Sequence, residues 1–408
     1  MHDVAIVGAG PGGSATAHVL AQHGLDVRLL DKFEFPRDKT CGDGLTPRAL
    51  RALDRIGILD EVTRHGQPIR DFEVVAPNGR ATRSPIGDAY GARVVRRRTL
   101  DDLLRQRAIA SGATFEGRVD VSHLEPTDRA VVVHGTHNGR PCTLEARLAV
   151  VATGAASRVL VRSAILPRPP AALLAARAYF ENVSHEAGDR LQLRFDSAPM
   201  PGYGWLFPLG SGAANIGVGF QPGRRRSPTT THAAFERFIH SPRMRRLLGG
   251  ARQVGPLKGY PIRVDFLDAP TVAERTLLVG EAAGLVNPLT GDGIDYALES
   301  GLIAAEHVLD AFAAGDFSRH RLERYHDQLH ARFRRLFRFC IRVRDWYCLP
   351  PVLNLLVPVA NRYPELRQQL ADLVLSSRQP PEYGPVRISL RLVRYLATHR
   401  TVPRGACP

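Results

Sequence analysis

The chain has 408 residues, 44% hydrophobic and 23% charged, so it is long enough for two domains or one large divided domain and is not a disordered chain. Its formal net charge is +15, carried almost wholly by arginine, because lysine occurs only at positions 32, 39 and 258. This excess attracts phosphate groups or anionic lipid. The absence of basic motifs interleaved with aromatic residues, and of zinc-ligand spacing, argues against nucleic acid as a partner and predicts no metal site.

The first element is a strand–loop–helix–strand unit over residues 4–31. The apolar run VAIV leads into GAGPGG, a small-residue helix follows, and DVRLLD ends on Asp31. Gly8 permits the tight turn, Gly10 lets backbone N–H groups approach a pyrophosphate, and Gly13 allows close helix–strand packing. Asp31 is suited to accept hydrogen bonds from ribose hydroxyls. The unit predicts a dinucleotide site, which is FAD or NAD on these residues alone.

Residues 32–172 extend this α/β pattern. Thr46, Pro47 and Gly57 have the spacing of an N-cap, a first helical residue and a helix end. Residues 71–84 predict a hairpin that turns at 77–79, and residues 99–111 predict a helix. Three β-rich stretches then end in LAVVATG at 148–154.

The pattern changes to a series of strands from about residue 173 and returns to α/β at residues 276–280. The predicted fold is therefore α/β: a discontinuous Rossmann-like domain with an inserted antiparallel β-sheet substrate domain and a C-terminal helical region. We expect the first part of the nucleotide domain at 1–172, the β-rich domain at 173–268, the second part at 269–315 and a basic helical region at 316–408.

A second glycine-rich segment follows the strand at 276–280. Glu281 stands beside small residues, and Gly291, Gly293 and Ile294 begin a long helix. A carboxylate beside a strand end suits ribityl hydroxyls, and helix N–H groups suit the pyrimidine end of an isoalloxazine. A nicotinamide domain does not need this distal element, so the pair of motifs predicts FAD.

Four segments together resemble the geranylgeranyl reductase family of flavoproteins, within the wider group that includes aromatic hydroxylases and flavin-dependent halogenases. They are GAGPGG, FPRDKTCGDGLTPRAL, PGYGWLFPLGSGAANIGVG and GEAAGLVNPLTGDGIDYALESG, and the resemblance covers roughly residues 1–315. Two departures stand out. Glu281 replaces the commoner Asp, and Tyr203 replaces the first Trp of the halogenase signature, which disfavours halogenation.

The resemblance implies further site residues. It places Cys41 near the flavin ring, where it is either a functional thiol, as a proton donor or a redox modulator, or a merely packed one. It matches Arg97, within a run of three arginines, to a flavin contact, and the alternative is that this run is a solvated charged surface. We also assign Lys32, Gly42 and Val119 to the cofactor site. Tyr203, Trp205 and Phe207 alternate along a strand and so share one face, where they form either an apolar wall for a prenyl chain or ordinary core.

The resemblance implies an FAD-dependent reductase that saturates isoprenoid double bonds by hydride transfer from reduced flavin. Cys41 is the first proton-donor candidate and Tyr203 the second, and NADPH or a reduced carrier protein supplies electrons. The alternatives are a flavin monooxygenase or oxidase of a secondary-metabolite pathway and a non-catalytic flavin-bearing lipid carrier. The residues leave the isoprenoid and the oligomeric state open.

The segment 319–348 combines an apolar stripe at three- and four-residue spacing with many arginines off that stripe. Such a helix either lies on an anionic membrane surface or packs its stripe on the protein, with solvated arginines outside. The sequence begins with a strand instead of a secretory signal, lacks a run of eighteen apolar residues, and has five cysteines without framework spacing. We therefore expect a cytoplasmic protein, peripheral to the inner face of the membrane if it docks there.

Overall fold

A computed structural model describes residues 1–223, 230–346 and 348–375 of the chain. Within these ranges no helix combines the length and the apolar character needed to cross a membrane. Tyr347, within the segment 319–348 predicted as an amphipathic helix, and the part of the C-terminal region beyond residue 375 lie outside the described residues.

The strands occur in three sheets. They are β1 (His2–Val7), β2 (Val27–Leu30), β3 (Gly44–Leu45), β4 (Gln67–Ile69), β5 (Asp71–Val75), β6 (Ala81–Pro85), β7 (Ala92–Val94), β8 (Thr114–Glu116), β9 (Val119–Pro126), β10 (Val131–His137), β11 (Arg140–Val151), β12 (Ala172–Glu181), β13 (Arg190–Arg194), β14 (Gly202–Gly210), β15 (Ala213–Phe220), β16 (Arg252–Arg263), β17 (Val272–Ala273) and β18 (Thr276–Leu278).

The helices cover the sheets and form the C-terminal region. They are α1 (Pro11–Gln22), α2 (Pro47–Ile56), α3 (Leu59–His65), α4 (Arg97–Ala110), α5 (Arg158–Arg162), α6 (Thr231–Ile239), α7 (Pro242–Leu248), α8 (Ile294–Ala314), α9 (Arg319–Trp346), α10 (Pro350–Arg362) and α11 (Pro364–Val374), with short 3₁₀ turns at His185–Ala187 and Gly280–Ala283.

The first sheet is the nucleotide-binding one. Its order is β17-β18-β11-β1-β2-β8, and the pairs that join β8, β2, β1, β11 and β18 are all parallel. β1 is apolar and buried from Val4 to Val7, where it joins the core that α1 and α8 also contribute to, whereas His2 and Asp3 are half-buried. β18 comes from the distant second segment of the chain, so the predicted discontinuous Rossmann-like fold is confirmed.

The second sheet has seven strands in the order β16-β12-β15-β14-β13-β5-β6. The hairpin predicted at 71–84 forms as β5 and β6, and it joins this sheet by a parallel pairing in which Phe72 lies opposite Leu191. The other pairings in the sheet are antiparallel. Two strands from residues 71–85 therefore belong to a sheet whose other strands all come from residues 172–263.

Local signals at α2 form as predicted. Thr46 accepts a hydrogen bond from the Ala49 N–H, Pro47 is the first helical residue, and Gly57 ends the helix with a left-handed φ of 77°. The helix predicted at 99–111 begins two residues earlier, at Arg97. This difference matters because it sets the side chain of Arg97 at the first turn of α4.

The apolar stripe of α9 packs on the protein. Its buried side chains include Leu322, Tyr325, Leu329, Phe333, Leu336 and Cys340. They join the core beneath the nucleotide-binding sheet, and the Tyr325 hydroxyl donates to the Leu278 carbonyl at 2.8 Å. The stripe is therefore not a free apolar face, whereas the arginines between its members remain outside.

Candidate active site

One cavity of about 750 Å³ lies between the two large sheets. Of the residues predicted for the site, all but Gly13 line it. The lining ones are Gly8, Gly10, Asp31, Lys32, Cys41, Gly42, Arg97, Val119, Tyr203, Trp205, Phe207, Glu281, Gly291, Gly293 and Ile294.

The three glycines of the first motif have different surroundings. A Cβ at Gly13 would overlap the carbonyl oxygen of Gly8, so Gly13 serves packing and does not reach the cavity. Gly8 has a φ of 108°, and a Cβ there would collide with the Ala152 carbonyl. A Cβ at Gly10, in contrast, would meet only an Arg37 nitrogen, at 3.7 Å. The space above Gly10 at the start of α1 is thus open to a ligand phosphate.

Asp31 is buried at the end of β2. One of its carboxylate oxygens accepts from the Ala9 N–H at 2.9 Å, and the other accepts from the Phe33 N–H at 3.0 Å. The Asp31 carbonyl accepts from the Val119 N–H at 2.9 Å, so both predicted residues lie at one corner of the cavity. Lys32 is exposed, and its ammonium group lies 5.0 Å from the centre of the Phe33 ring.

The run of three arginines resolves into one buried and two exposed side chains. Arg96 and Arg98 are exposed, whereas Arg97 is only 7% exposed. Two nitrogens of Arg97 donate to the two carboxylate oxygens of Asp101, at 2.7 and 2.8 Å. Arg37 donates to the same carboxylate at 2.8 Å. Burial disfavours the charge on Arg97, but the neighbouring Asp101 outweighs it and raises the pKa of the guanidinium.

Glu281 lies in the 3₁₀ turn that follows β18. Its carboxylate accepts from the Arg263 N–H at 3.0 Å, and burial raises its pKa, although Lys39 and Arg263 oppose this rise. Burial likewise lowers the pKa of Lys39, whose ammonium group lies 4.1 Å from the centre of the Tyr260 ring. The longer side chain that replaces the commoner Asp is therefore accommodated between β16 and the cavity.

The second glycine motif contains a half-buried acid that lines the cavity. Gly293 precedes the first turn of α8, where a Cβ would come within 2.9 Å of Val286. Between the glycines, Asp292 is half-buried, and one of its carboxylate oxygens is inaccessible to solvent and has no hydrogen-bond partner among the described residues. Burial and the nearby Asp295 raise the pKa of Asp292 well above its usual value. Sequence reasoning did not select Asp292, although its position between two motif glycines was a usable signal.

The loop that carries Cys41 is held by a polar network that sequence reasoning also missed. Asp43 is fully buried, and its carboxylate accepts from the Tyr179 hydroxyl at 2.7 Å and from the Asn215 amide at 2.9 Å. The Asp43 N–H donates to the Cys41 sulfur at 3.4 Å. Asp43 has a left-handed φ of 65°, a conformation that costs free energy and is retained because these bonds fix it. The glycines on either side of Asp43 could have identified it as a site residue from the sequence, whereas no sequence feature identified Asn215.

Burial is the largest influence on the pKa values of Cys41 and Asp43 in this loop. It raises the pKa of the Cys41 thiol, against the opposing charge of Arg97, so the sulfur is held in its protonated form. It also raises the pKa of Asp43 to about 6, although Tyr179 and Asn215 donate to the charged form. The loop thus combines a neutral thiol with a carboxyl that titrates close to neutrality.

The three alternating aromatic residues of β14 form one row, as predicted. The ring centres of Tyr203 and Trp205 are 6.2 Å apart, and those of Trp205 and Phe207 are 6.3 Å apart. The Trp205 indole N–H donates to Asn215 at 3.0 Å, and the Tyr203 hydroxyl donates to the Thr290 carbonyl. A Cβ at Gly42 would lie 3.0 Å from the Phe207 ring, so the Cys41 loop rests on this row. The row is both cavity wall and core.

The remainder of the cavity wall is largely apolar. It includes side chains from the seven-stranded sheet and, unexpectedly, from α11 and the residue after it: Phe72, Leu191, Leu193, Phe195, Val374 and Leu375. Arg344, in the last turn of α9, and Cys348, two residues after that helix, also line the cavity. The C-terminal region thus closes the site, a role that its basic amphipathic pattern did not indicate.

The residues present fit FAD. The open space at Gly10, the carboxylate of Asp31 and the start of α8 all border one cavity. These groups would hold, respectively, the pyrophosphate, the ribose and the pyrimidine end of the flavin.

Comparison with known proteins agrees with this geometry. Residues 1–173 match the family described as FAD binding domain, and residues 174–248 match the family described as geranylgeranyl reductase catalytic domain. A menaquinone reductase of Mycolicibacterium smegmatis is 35% identical over 385 residues, which cover 88% of each chain. A digeranylgeranylglycerophospholipid reductase of Methanopyrus kandleri is 32% identical over 354 residues, covering 82% of this chain and 88% of that protein.

Solved structures give the same fold. A geranylgeranyl bacteriochlorophyll reductase-like protein of Thermoplasma acidophilum superposes with a TM-score of 0.78 at 25% identity, covering 91% of this chain and 99% of that one. A flavin-dependent brominase superposes with a TM-score of 0.76 at 18% identity, covering 98% of this chain and 100% of that one, a likeness of fold alone.

Proposed function

The chain belongs to the geranylgeranyl reductase family of FAD-dependent oxidoreductases, and on this premise we propose that it saturates carbon–carbon double bonds in an isoprenoid chain. The relatives named above are reductases of menaquinone and of a digeranylgeranyl glycerophospholipid. Both names denote molecules with isoprenoid tails, so the proposed substrate is a polyprenyl quinone or a prenyl lipid.

One observation carries the proposal. A single cavity joins both glycine motifs to an apolar wall, and the Cys41 thiol lies at this junction. An unactivated alkene delocalises charge poorly, so its reduction needs a dry pocket and an aligned proton donor. The aromatic row and the side chains of β13 and α11 supply the dry wall, and the loop of Asp43 holds the thiol.

The chemistry balances as one hydride and one proton added across the double bond. Bound FAD, in its reduced form, supplies the hydride. The Cys41 thiol, kept protonated by its burial, donates the proton to the neighbouring carbon and recovers one from water. Tyr203 is the second candidate, because its hydroxyl already donates to the Thr290 carbonyl and must leave that bond to reach an alkene.

The reaction also requires a source of two electrons. NADPH and a reduced carrier protein both fit, and they are separated by mixing each with the oxidised enzyme under nitrogen. Rapid bleaching of the flavin absorbance by NADPH alone supports direct reduction, whereas bleaching only with a reduced ferredoxin or flavodoxin supports the carrier.

The decisive experiment is a product assay. The FAD-loaded enzyme is reduced anaerobically and mixed, in parallel, with menaquinone and with a geranylgeranyl glycerophospholipid, and products are analysed by mass spectrometry. A gain of hydrogen pairs in the tail supports the proposal. An oxygen-dependent gain of an oxygen atom would instead support a monooxygenase. Tight binding of unchanged lipid would support a carrier, and either of these outcomes overturns the reductase.

A further inference from the structure

The junction of α9 and α10 exposes a cluster of apolar side chains. Trp346, the last residue of α9, is 71% exposed, and Leu349 is 38% exposed. Pro351, in the first turn of α10, is also exposed. Trp346 and Leu349 are two of only five large exposed hydrophobic residues in the part of the chain that the structure describes. We call this cluster of Trp346, Leu349 and Pro351 the apolar tip.

A row of cationic side chains leads to the apolar tip. Arg334, Arg338 and Arg342 are exposed and follow one another at four-residue spacing, so they lie on successive turns of α9 that end at Trp346. None of the three forms an ion pair with an acidic side chain of the described ranges. The opposite side of α9 is occupied, because its apolar stripe is buried in the core. We call these three residues the arginine row.

The apolar tip lies at an edge of the cavity. Arg344 and Cys348 bracket Trp346 in sequence, and both line the cavity. A surface that holds the tip would therefore lie close to this part of the cavity wall.

We propose that the arginine row and the apolar tip together dock the protein on an anionic membrane surface, at the edge of the substrate cavity. The link to substrate entry rests on the proposed function, whereas the docking itself does not. Guanidinium groups that have no ion-pair partner within residues 1–223, 230–346 and 348–375 are complementary to lipid phosphates. A tryptophan beside a leucine and a proline suits the boundary between headgroups and acyl chains. An acidic protein partner would satisfy the arginine row but would leave the apolar tip in water.

The test is co-sedimentation of the FAD-loaded protein with vesicles of phosphatidylcholine alone or mixed with phosphatidylglycerol. We expect binding to the mixed vesicles only, weakened by salt. The triple variant Arg334→Gln, Arg338→Gln, Arg342→Gln should bind roughly 100-fold more weakly, given the usual contribution of each cation near an anionic surface. The matched control changes three exposed arginines elsewhere, Arg64→Gln, Arg129→Gln and Arg140→Gln, and should change binding only a few-fold.

Tryptophan fluorescence reports on the apolar tip directly. The chain has two tryptophans, and Trp205 is buried in the cavity wall. Vesicles should shift the emission of the wild type to shorter wavelength, and Trp346→Phe should abolish the shift while sparing Trp205 emission. Unchanged binding by the arginine-row variant, an equal loss in the control, or a shift that persists in Trp346→Phe would each overturn the docking surface.

The test of membrane docking is independent of the test of the proposed function. Vesicle binding is measured without turnover, and the arginine-row variant should reduce detergent-dispersed substrate at the wild-type rate. We expect the arginine-row variant to lose activity only on substrate that is embedded in vesicles. Equal loss in detergent would instead mean that the row supports the fold or the site, which overturns its role in docking.

Discussion

The Asn215 amide nitrogen donates to the Asp43 carboxylate at 2.9 Å and to the Cys41 carbonyl at 2.7 Å. One side chain of the seven-stranded sheet thus fixes both the acid and the thiol-bearing residue of a loop 174 positions earlier in the chain. Because the Asn215 oxygen also accepts from Trp205, the amide connects the loop to the aromatic row. The position of Cys41 is therefore a property of the interface between the two sheets.

Asp43→Asn should flatten part of the dependence of stability on pH. Burial raises the pKa of Asp43 from 3.8 to about 6. Between these values the folded chain binds a proton that the unfolded chain does not, so the free energy of unfolding falls as pH rises through this window, by about 1–3 kcal/mol. The variant lacks this titration. Denaturant unfolding from pH 4 to pH 7 measures the difference, with the exposed Asp60→Asn as control; parallel curves for wild type and Asp43→Asn would contradict the prediction.

Gly10→Ala should mainly lower FAD affinity, whereas Gly13→Ala should mainly lower the stability of the fold. A methyl group at Gly10 has room in the fold but enters the ligand space, so FAD affinity should fall at least about tenfold with little change in the stability of the FAD-free protein. At Gly13 the methyl group overlaps the Gly8 carbonyl, and the loss of stability should be about 2–5 kcal/mol.

Flavin titration and thermal unfolding separate the two effects. Gly250→Ala is the control, because a Cβ there meets nothing within 4 Å and the residue does not require a left-handed conformation. If Gly10→Ala bound FAD like the wild type, the assignment of the pyrophosphate to this loop would be wrong.

Arg97→Met should destabilise the protein by about 3–5 kcal/mol, because it leaves the fully buried Asp101 with Arg37 as its remaining ion-pair partner. Arg98→Met removes the same charge from the exposed neighbour and should cost about 0.5 kcal/mol or less. Urea unfolding of the two variants provides the comparison. Equal costs would mean that the ion pair with Asp101 does not stabilise the fold.

Cys41→Ser should retain FAD and lower the rate of alkene reduction by about 100-fold, because a hydroxyl is a far weaker acid than a thiol. Tyr203→Phe should cost about tenfold or less, since that hydroxyl is engaged by the Thr290 carbonyl. Single-turnover oxidation of the reduced enzyme by substrate measures both. In the wild type, the raised pKa of Cys41 should keep the alkaline limb of the rate above pH 9. If Tyr203→Phe lost more activity than Cys41→Ser, Tyr203 would be the main proton donor in place of Cys41.

The sequence by itself determined the parts of this protein that are encoded by neighbouring residues. A βαβ unit, its glycine turn and the second flavin segment depend on local φ angles, helix starts and strand ends, and contiguous residues specify these. The same holds for the cap at Thr46 and for the alternation that sets Tyr203, Trp205 and Phe207 on one face. Membership in an FAD-dependent reductase family followed from these segments together.

Only the tertiary structure decided which polar groups are buried together. It selected Arg97 over its two neighbours, brought Asn215 to Asp43, and left a buried carboxylate oxygen of Asp292 without a hydrogen-bond partner among the described residues. It also turned the apolar stripe of α9 inward and used Val374 to close the site. Burial depends on partners hundreds of positions away, and charge and hydrogen-bonding strength depend on burial. These properties therefore emerge only when the sheets and helices pack.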